Sequence, residues 1–201
     1  IQFKSHHGVV RNTAITDYNP ASFETEYYWV FFDGDDNRIE RCFFKGKNHL
    51  QPLIGNAIVD VIARVEDNFV SRHGLVKGSM NLIDEARAEQ LYGDMGQAIE
   101  VSGGSAGNTA AGVASLGGKA AYFGKVKADQ LGSIFRHDMR AQGVAFDTAP
   151  ATDGPATARS FILVTPDSER TMNTYLGACV NFTVADVDRK VVEAAQVTYM
   201  E

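Results

Sequence analysis

The sequence predicts an α/β fold on a doubly wound, mainly parallel sheet, and three observations carry that expectation. Short apolar, β-branched runs alternate with helical stretches between residues 53 and 146, a rhythm that lays helices on the faces of parallel strands. A glycine-rich turn, Ser102-Gly103-Gly104-Ser105-Ala106-Gly107-Asn108, joins a strand-like piece at 99–101 to a helix. After Pro155 the rhythm stops. Two strand-like runs, 158–164 and 171–175, flank the type I turn candidate Pro166-Asp167-Ser168-Glu169, a hairpin outside the main sheet.

In chain order, Leu53-Ile54-Gly55 reads as a buried strand ending at Asn56, and 58–65 continues as extended, β-branched structure. Asp60 interrupts that run. A carboxylate in an apolar stretch is costly unless partnered, so Asp60 is a site candidate as well as a candidate turn or cap. A helix is expected over 84–98, with Asp84 as N-cap and Leu91, Met95 and Ala98 on its buried side. The helix after the glycine turn is expected to open at Asn108, Thr109 and Ala110, with a thin face of Ala110, Ala111 and Ala114, and to end at Gly117-Gly118. A strand at 120–126, a helix at 130–142 closed by Gly143 and a short strand at 144–146 follow. Thr183 with Asp186 forms a capping-box pattern for a helix bearing Val187, Val191 and Val192, and 197–200 begins another strand.

Residues 1–50 read as a separate segment, with a boundary at the polar stretch carrying Gly46 and Pro52. Aromatic runs on either side of Asp33-Gly34-Asp35-Asp36-Asn37 suggest a hairpin. Asp33, Asp35 and Asn37 imitate the start of a calcium loop, but Arg38 and Phe44 stand where the loop needs Gly and Glu. His6-His7 reads as an exposed pair.

Composition narrows the function classes. The 201 residues give room for one domain with a substantial core, and 44% hydrophobic against 22% charged residues is ordinary for a globular protein. A net charge of −6 without a basic cluster argues against nucleic acid as a partner. No apolar run approaches a membrane span. Cys42 and Cys179 have neither metal-ligand nor redox spacing and read as reduced thiols, which favours a cytoplasmic setting.

The glycine turn is the densest chemical signal. A phosphate-binding P-loop needs a Lys directly after its last Gly, and here none comes before Lys119; the dinucleotide pattern Gly-x-Gly-x-x-Gly fails too. What remains is bare backbone flanked by Ser105 and Asn108, whose side chains both donate and accept and suit a neutral polyol. The alternative is a tight turn of small residues that serves packing alone.

The run Gly103 to Ala111, then Leu116-Gly117-Gly118, Phe123-Gly124-Lys125-Val126, Asp129-x-Leu131-Gly132 and Gly143-Val144, resembles the first signature of the ribokinase/PfkB family of carbohydrate kinases. Ile54-Gly55-Asn56-Ala57-Ile58-Val59-Asp60 resembles that family's first strand and substrate-binding aspartate. The resemblance covers 51–201 and is nearest the adenosine-kinase-like branch. It implies a ribokinase-like sheet with a small β lid made from the hairpin and the strands after Asp60. It also implies transfer of the ATP γ-phosphate to the 5′-hydroxyl of a nucleoside with Mg²⁺, a role in purine salvage, and either a monomer or a lid-mediated homodimer. Carried over residue by residue, Asn56 and Asp60 adjoin the substrate, with Asp60 accepting from the ribose 2′ and 3′ hydroxyls. Gly103, Gly104 and Asn108 line the other side, with Ser105 close by. Arg170 matches an arginine that reaches the site when the lid closes, and is equally readable as a surface charge.

The departures set the limits. The family's late Gly-Ala-Gly-Asp, which holds the catalytic base and an anion hole, has no match, and its Asn-x-x-Glu occurs only as Asn37-Arg38-Ile39-Glu40 in the unmatched segment. The chain therefore reads as truncated: the substrate-binding part of a kinase, its base expected downstream of Glu201 and its ATP and Mg²⁺ motifs absent. Alone it is expected not to phosphorylate adenosine, unless Asp129, Asp153 or Asp167 serves as base. A sugar kinase acting on ribose or fructose, and a non-catalytic ligand-binding module, are the competing readings.

Overall fold

The computed structural model describes residues 50–195 and 197–201 with their side chains and, before them, only the backbone of six short strands. These six are β1 (Gln2–Lys4), β2 (Val9–Arg11), β3 (Ala14–Ile15), β4 (Phe31–Asp33), β5 (Arg38–Glu40) and β6 (Phe43–Phe44). They pair in parallel, β1 with β4, β2 with β5 and β3 with β6. This corrects the expected hairpin: its arms β4 and β5 pair in separate two-stranded sheets (β4 with β1, β5 with β2) and not with each other. The 34–37 turn compared with a calcium loop lies outside the described residues, as do His6-His7 and Cys42.

The remaining chain runs β7 (Leu50–Ile54), β8 (Ile58–Arg64), α1 (Asp67–Arg72), β9 (Met80–Leu82), α2 (Glu85–Asp94), β10 (Ile99–Gly103), α3 (Ser105–Ser115) and β11 (Lys119–Phe123). It continues with α4 (Gln130–Ala141), β12 (Val144–Ala145), β13 (Ala158–Val164), β14 (Arg170–Tyr175), α5 (Arg189–Glu193) and β15 (Tyr199–Met200). Two sheets result. One is wholly parallel, in the order β12-β11-β7-β15. The other is mixed, in the order β10-β8-β13-β14-β9. The first is the expected parallel sheet and the second the expected lid, larger than a hairpin alone.

The core lies where β11 and α4 meet. Tyr122, Phe135 and Phe146 are almost wholly buried, with ring centroids 5.7 Å apart for Tyr122–Phe135 and Tyr122–Phe146 and 5.3 Å for Phe135–Phe146. Offset aromatic pairs at such distances add to the gain from burial. Val59, Val61, Phe161, Ala88 and Leu91 extend the same core beneath the mixed sheet.

Several expectations are corrected. The strand before the glycine turn does not join the parallel sheet: β10 pairs antiparallel with β8 at the lid's edge. The following helix opens at Ser105, not Asn108, with Gly104 as N-cap, and it buries Ala106 and Gly107 as well as Ala110. Helix α2 stops at Asp94 rather than residue 98, since Gly93 and Gly96 weaken a helix there; its N-cap Asp84 accepts from the Arg87 N–H as expected. The Thr183–Asp186 capping box forms, yet it opens only a three-residue 3-10 turn, Val184–Asp186; α5 starts later, under Asp188. The hairpin turn is shifted by one residue, closed by the Ser168 N–H on the Thr165 carbonyl at 2.8 Å.

Candidate functional site

Asp60 sits in the middle of β8. Burial alternates along that strand, with Val59, Val61 and Ala63 turned into the core and Ile58, Asp60 and Ile62 on the other face. A period of two puts Asp60 on the face away from α2 and the aromatic core. The ladder registers extend this face across the sheet: Val101 stands opposite Asp60 on β10, Ser160 opposite Asp60 on β13, Thr174 opposite Ser160 on β14 and Leu82 opposite Thr174 on β9. Asp60, Ser160 and Thr174 thus form one row, about 10 Å long at two strand spacings.

The glycine turn closes on Asp60 from β10. A Cβ at Gly103 would overlap the Asp60 carboxylate, so only glycine leaves room for it. Gly104 has φ 79°, and a Cβ there would lie 2.6 Å from the Asn56 carbonyl oxygen. Asn56, Asp60, Gly103 and Gly104 are therefore packed against one another. Asn108 follows on the first turn of α3, its N–H donating to the Gly104 carbonyl at 2.8 Å and its side chain exposed. Asp60 and Asn108 thus flank one turn of the lid sheet.

The Asp60 carboxyl is half-buried and accepts no hydrogen bond from the described residues. Burial pushes its pKa up to about 6. Above that value it is a carboxylate whose lone pairs are unspent, placed to accept from two neighbouring hydroxyls in charge-assisted bonds.

Ser105 is spoken for differently. Its hydroxyl donates to the Glu201 carboxylate, which also accepts from the Tyr199 hydroxyl at 3.1 Å, while the Glu201 N–H donates to the Ile54 carbonyl at 3.1 Å. Glu201 escaped the sequence reading; the available signal was a carboxylate directly following a strand of the parallel sheet, at its ligand-binding end. Arg170 is exposed, at the far end of β14. It lies four residues from Thr174, about 13 Å along the strand, so the structure does not bring it together with Asp60.

The other carboxylates weighed as bases have structural tasks. Asp129 caps α4 at the Gly132 N–H (2.8 Å) and accepts from the Thr157 N–H (2.9 Å) and hydroxyl (2.6 Å). Asp167 is paired with Lys77 at 2.6 Å and accepts from the Thr165 hydroxyl at 2.7 Å; with Lys77 as the chief cause its pKa falls to about 2. Asp153 is exposed. Cys179 is buried, which raises its thiol to about 11 and leaves it inert.

Two cavities adjoin the sheet. One, of about 280 Å³, is mostly apolar and lined by Leu82, Ile83, Pro155, Thr174, Leu176 and Val180, at the Thr174 end of the Asp60 row. The other, of about 560 Å³, lies on the opposite face of β10, where Tyr92 donates to Glu100 at 2.8 Å and Asp138 accepts from the Ser102 N–H at 2.9 Å. Its polar groups are spent on one another.

An unpaired carboxylate beside a glycine turn suits hydroxyls and would repel a triphosphate. Among the described residues, no three His, Cys, Asp or Glu side chains gather as metal ligands. These residues do not fit Mg·ATP. Among the described residues, no helix is long and apolar enough to cross a membrane.

Comparison with known proteins places the sequence and the fold. Residues 50–201 match the model of the pfkB family carbohydrate kinases. The crystal structure of adenosine kinase from Sinorhizobium meliloti is 62% identical with a TM-score of 0.71, over 76% of this chain and 46% of that one. A probable sugar kinase protein from Rhizobium etli CFN 42 is 60% identical with a TM-score of 0.71, over 77% and 47%. A fructokinase from Solanum tuberosum is 32% identical over 77 residues, 38% of this chain and 24% of that protein. The chain spans under half the length of those two structures and about a quarter of the fructokinase. With its matched residues, its parallel sheet and its lid all in agreement, the chain belongs to the PfkB family of carbohydrate kinases.

Proposed function

We propose that this chain holds the acceptor alcohol for phosphoryl transfer from ATP with Mg²⁺, and that the acceptor is the 5′-hydroxyl of a nucleoside such as adenosine. One observation supports this above others: the Asp60 carboxylate, half-buried and unpartnered, shares a row with a mostly apolar cavity two strands away. A carboxylate that accepts from a ribose diol holds the sugar; an apolar hollow about 10 Å off suits a base. Asn56, Gly103, Gly104 and Asn108 form the sugar's other wall, and Ser105 with Glu201 closes its end. The adenosine kinase likeness supports the same reading.

A second reading, a sugar kinase, rests on the fructokinase and probable sugar kinase likenesses. Calorimetric titration with adenosine, ribose and fructose separates the two. Adenosine should bind more tightly than either sugar, and Asp60→Ala should weaken it by about 1–3 kcal/mol, the value of a hydrogen bond to a charged group. Tighter fructose binding, or adenosine affinity untouched by Asp60→Ala, would shift the assignment to the sugar.

A further inference from the structure

Around Asp60 this lid face is mostly apolar, with Ile58, Ile62, Val101, Met172 and Leu82, and its charged Arg64 and Arg170 stand at the hairpin end. Two uncharged polar side chains interrupt the apolar part. Ser160 and Thr174 are 6% and 8% exposed, stand opposite one another in the β13–β14 ladder and share a hydrogen bond of 2.8 Å. Thr174 also lines the cavity of about 280 Å³.

Each hydroxyl carries one donor hydrogen and two acceptor lone pairs. Their mutual bond spends one hydrogen and one lone pair. The second hydrogen has no acceptor among the described residues, and three lone pairs are left over. Valine at either position would give the same sheet contact without burying that donor, so the pattern is hard to explain as packing alone. One free donor beside free acceptors is complementary to a base edge with an exocyclic amino group next to an unprotonated ring nitrogen: the amino group donates to one hydroxyl and the ring nitrogen accepts from the other.

We infer that the Ser160–Thr174 hydroxyl pair is the specificity-determining contact of this site, reading the polar edge of an amino-substituted base in an otherwise apolar hollow. This rests on the nucleoside reading above. Asp60 then fixes the sugar and the pair selects the base, so the two ends of one row of residues control separate parts of the ligand.

Titration of the chain with adenosine and purine riboside, which lacks the exocyclic amino group, tests the assignment. The wild type should prefer adenosine by about tenfold, the upper range for one net hydrogen bond. Ser160→Ala and Thr174→Val should bring that ratio close to one. Thr174→Ser, which keeps the hydroxyl and removes only a methyl, should retain it. Asp60→Ala should weaken both ligands equally and leave the ratio alone. A ratio unchanged by Ser160→Ala and Thr174→Val, with Asp60→Ala still weakening both ligands, overturns the pair's role and spares the nucleoside reading. No saturable binding of either nucleoside to the wild type overturns both.

Discussion

Along β11 of the parallel sheet, Ala120, Ala121, Tyr122 and Phe123 are all buried in succession, whereas along β8 of the mixed sheet burial strictly alternates from Ile58 to Ala63. A run buried on both faces belongs to a strand covered by protein above and below; an alternating run belongs to a sheet covered on one side. The uncovered side of β8 is where Asp60 lies, with Met80, Leu82 and Ile99 more than half exposed on the same face. The comparison separates the tasks of the two sheets. One spends its side chains on holding the fold together, and the other leaves half of them on an uncovered face.

The largest effect expected from breaking this division comes from the first sheet's side. Phe135 on α4 is fully buried between Tyr122 and Phe146. Phe135→Ala removes that packing and leaves a cavity, and should cost about 3–5 kcal/mol in urea denaturation. An equivalent truncation on the open face, Ile99→Ala, should be nearly neutral, since Ile99 is 65% exposed. Comparable losses at both positions would show that the lid's outer face is not free.

The sequence made the first sheet more legible than the second, for a physical reason. Strand and helix rhythm reveals parallel βα units directly: α4 and β12 fall within a residue of the expected bounds, while β7 starts three residues early, at Leu50, and β11 stops three residues early, at Phe123. Strand pairing between residues distant in sequence leaves no local trace. Nothing in Ile99–Gly103 says that it runs antiparallel to β8, and α1 and β9 carried no periodic signal strong enough to read. At the site, Asp60 stood out because a lone carboxylate in an apolar run needs a reason, and Gly103 and Gly104 because bare backbone needs one. Ser160 and Thr174 did not, since hydroxyl residues are unremarkable in strands until the register pairs them. Glu201 was equally silent until the fold set it beside Ser105.

A smaller effect, and a sharper view of the division, comes from pH. Burial lifts Asp60 to about 6, against 3.8 for an ordinary aspartate. The folded chain therefore holds this proton more tightly than the unfolded one. Asp60's contribution favours folding at acid pH and is lost as pH rises from about 4 through about 6. The ligand needs the opposite form, so adenosine affinity should rise across the same window. Asp60→Asn should remove both trends, giving a chain more stable at pH 7 and weaker for nucleosides above about pH 6, with the two chains converging in acid. Affinity independent of pH between 5 and 7 in the wild type would mean that Asp60 does not accept the ligand's hydroxyls.

The smallest expected effect lies at the tip of the lid hairpin. Ser168 has φ 69°, alone among the described non-glycine residues in the left-handed region. It is held there by its N–H on the Thr165 carbonyl at 2.8 Å and by the Thr165 N–H on the Glu169 carbonyl at 3.0 Å. Lys77, bonded to Asp67 at 2.5 Å and to Asp167 at 2.6 Å, fixes the same turn from outside. A left-handed non-glycine residue costs about 1–2 kcal/mol, while glycine adds about 0.5–1 kcal/mol of unfolded-state entropy. Ser168→Gly should therefore stabilise the chain by up to about 1 kcal/mol in thermal denaturation, with Ser168→Ala as the control that retains the strain. Nucleoside affinity should not move, because the tip lies at the far end of the sheet from the Asp60 row. If Ser168→Gly instead changes affinity more than its stability, the strained turn belongs to the binding apparatus, and the lid's division between a ligand-bearing row and a structural tip fails.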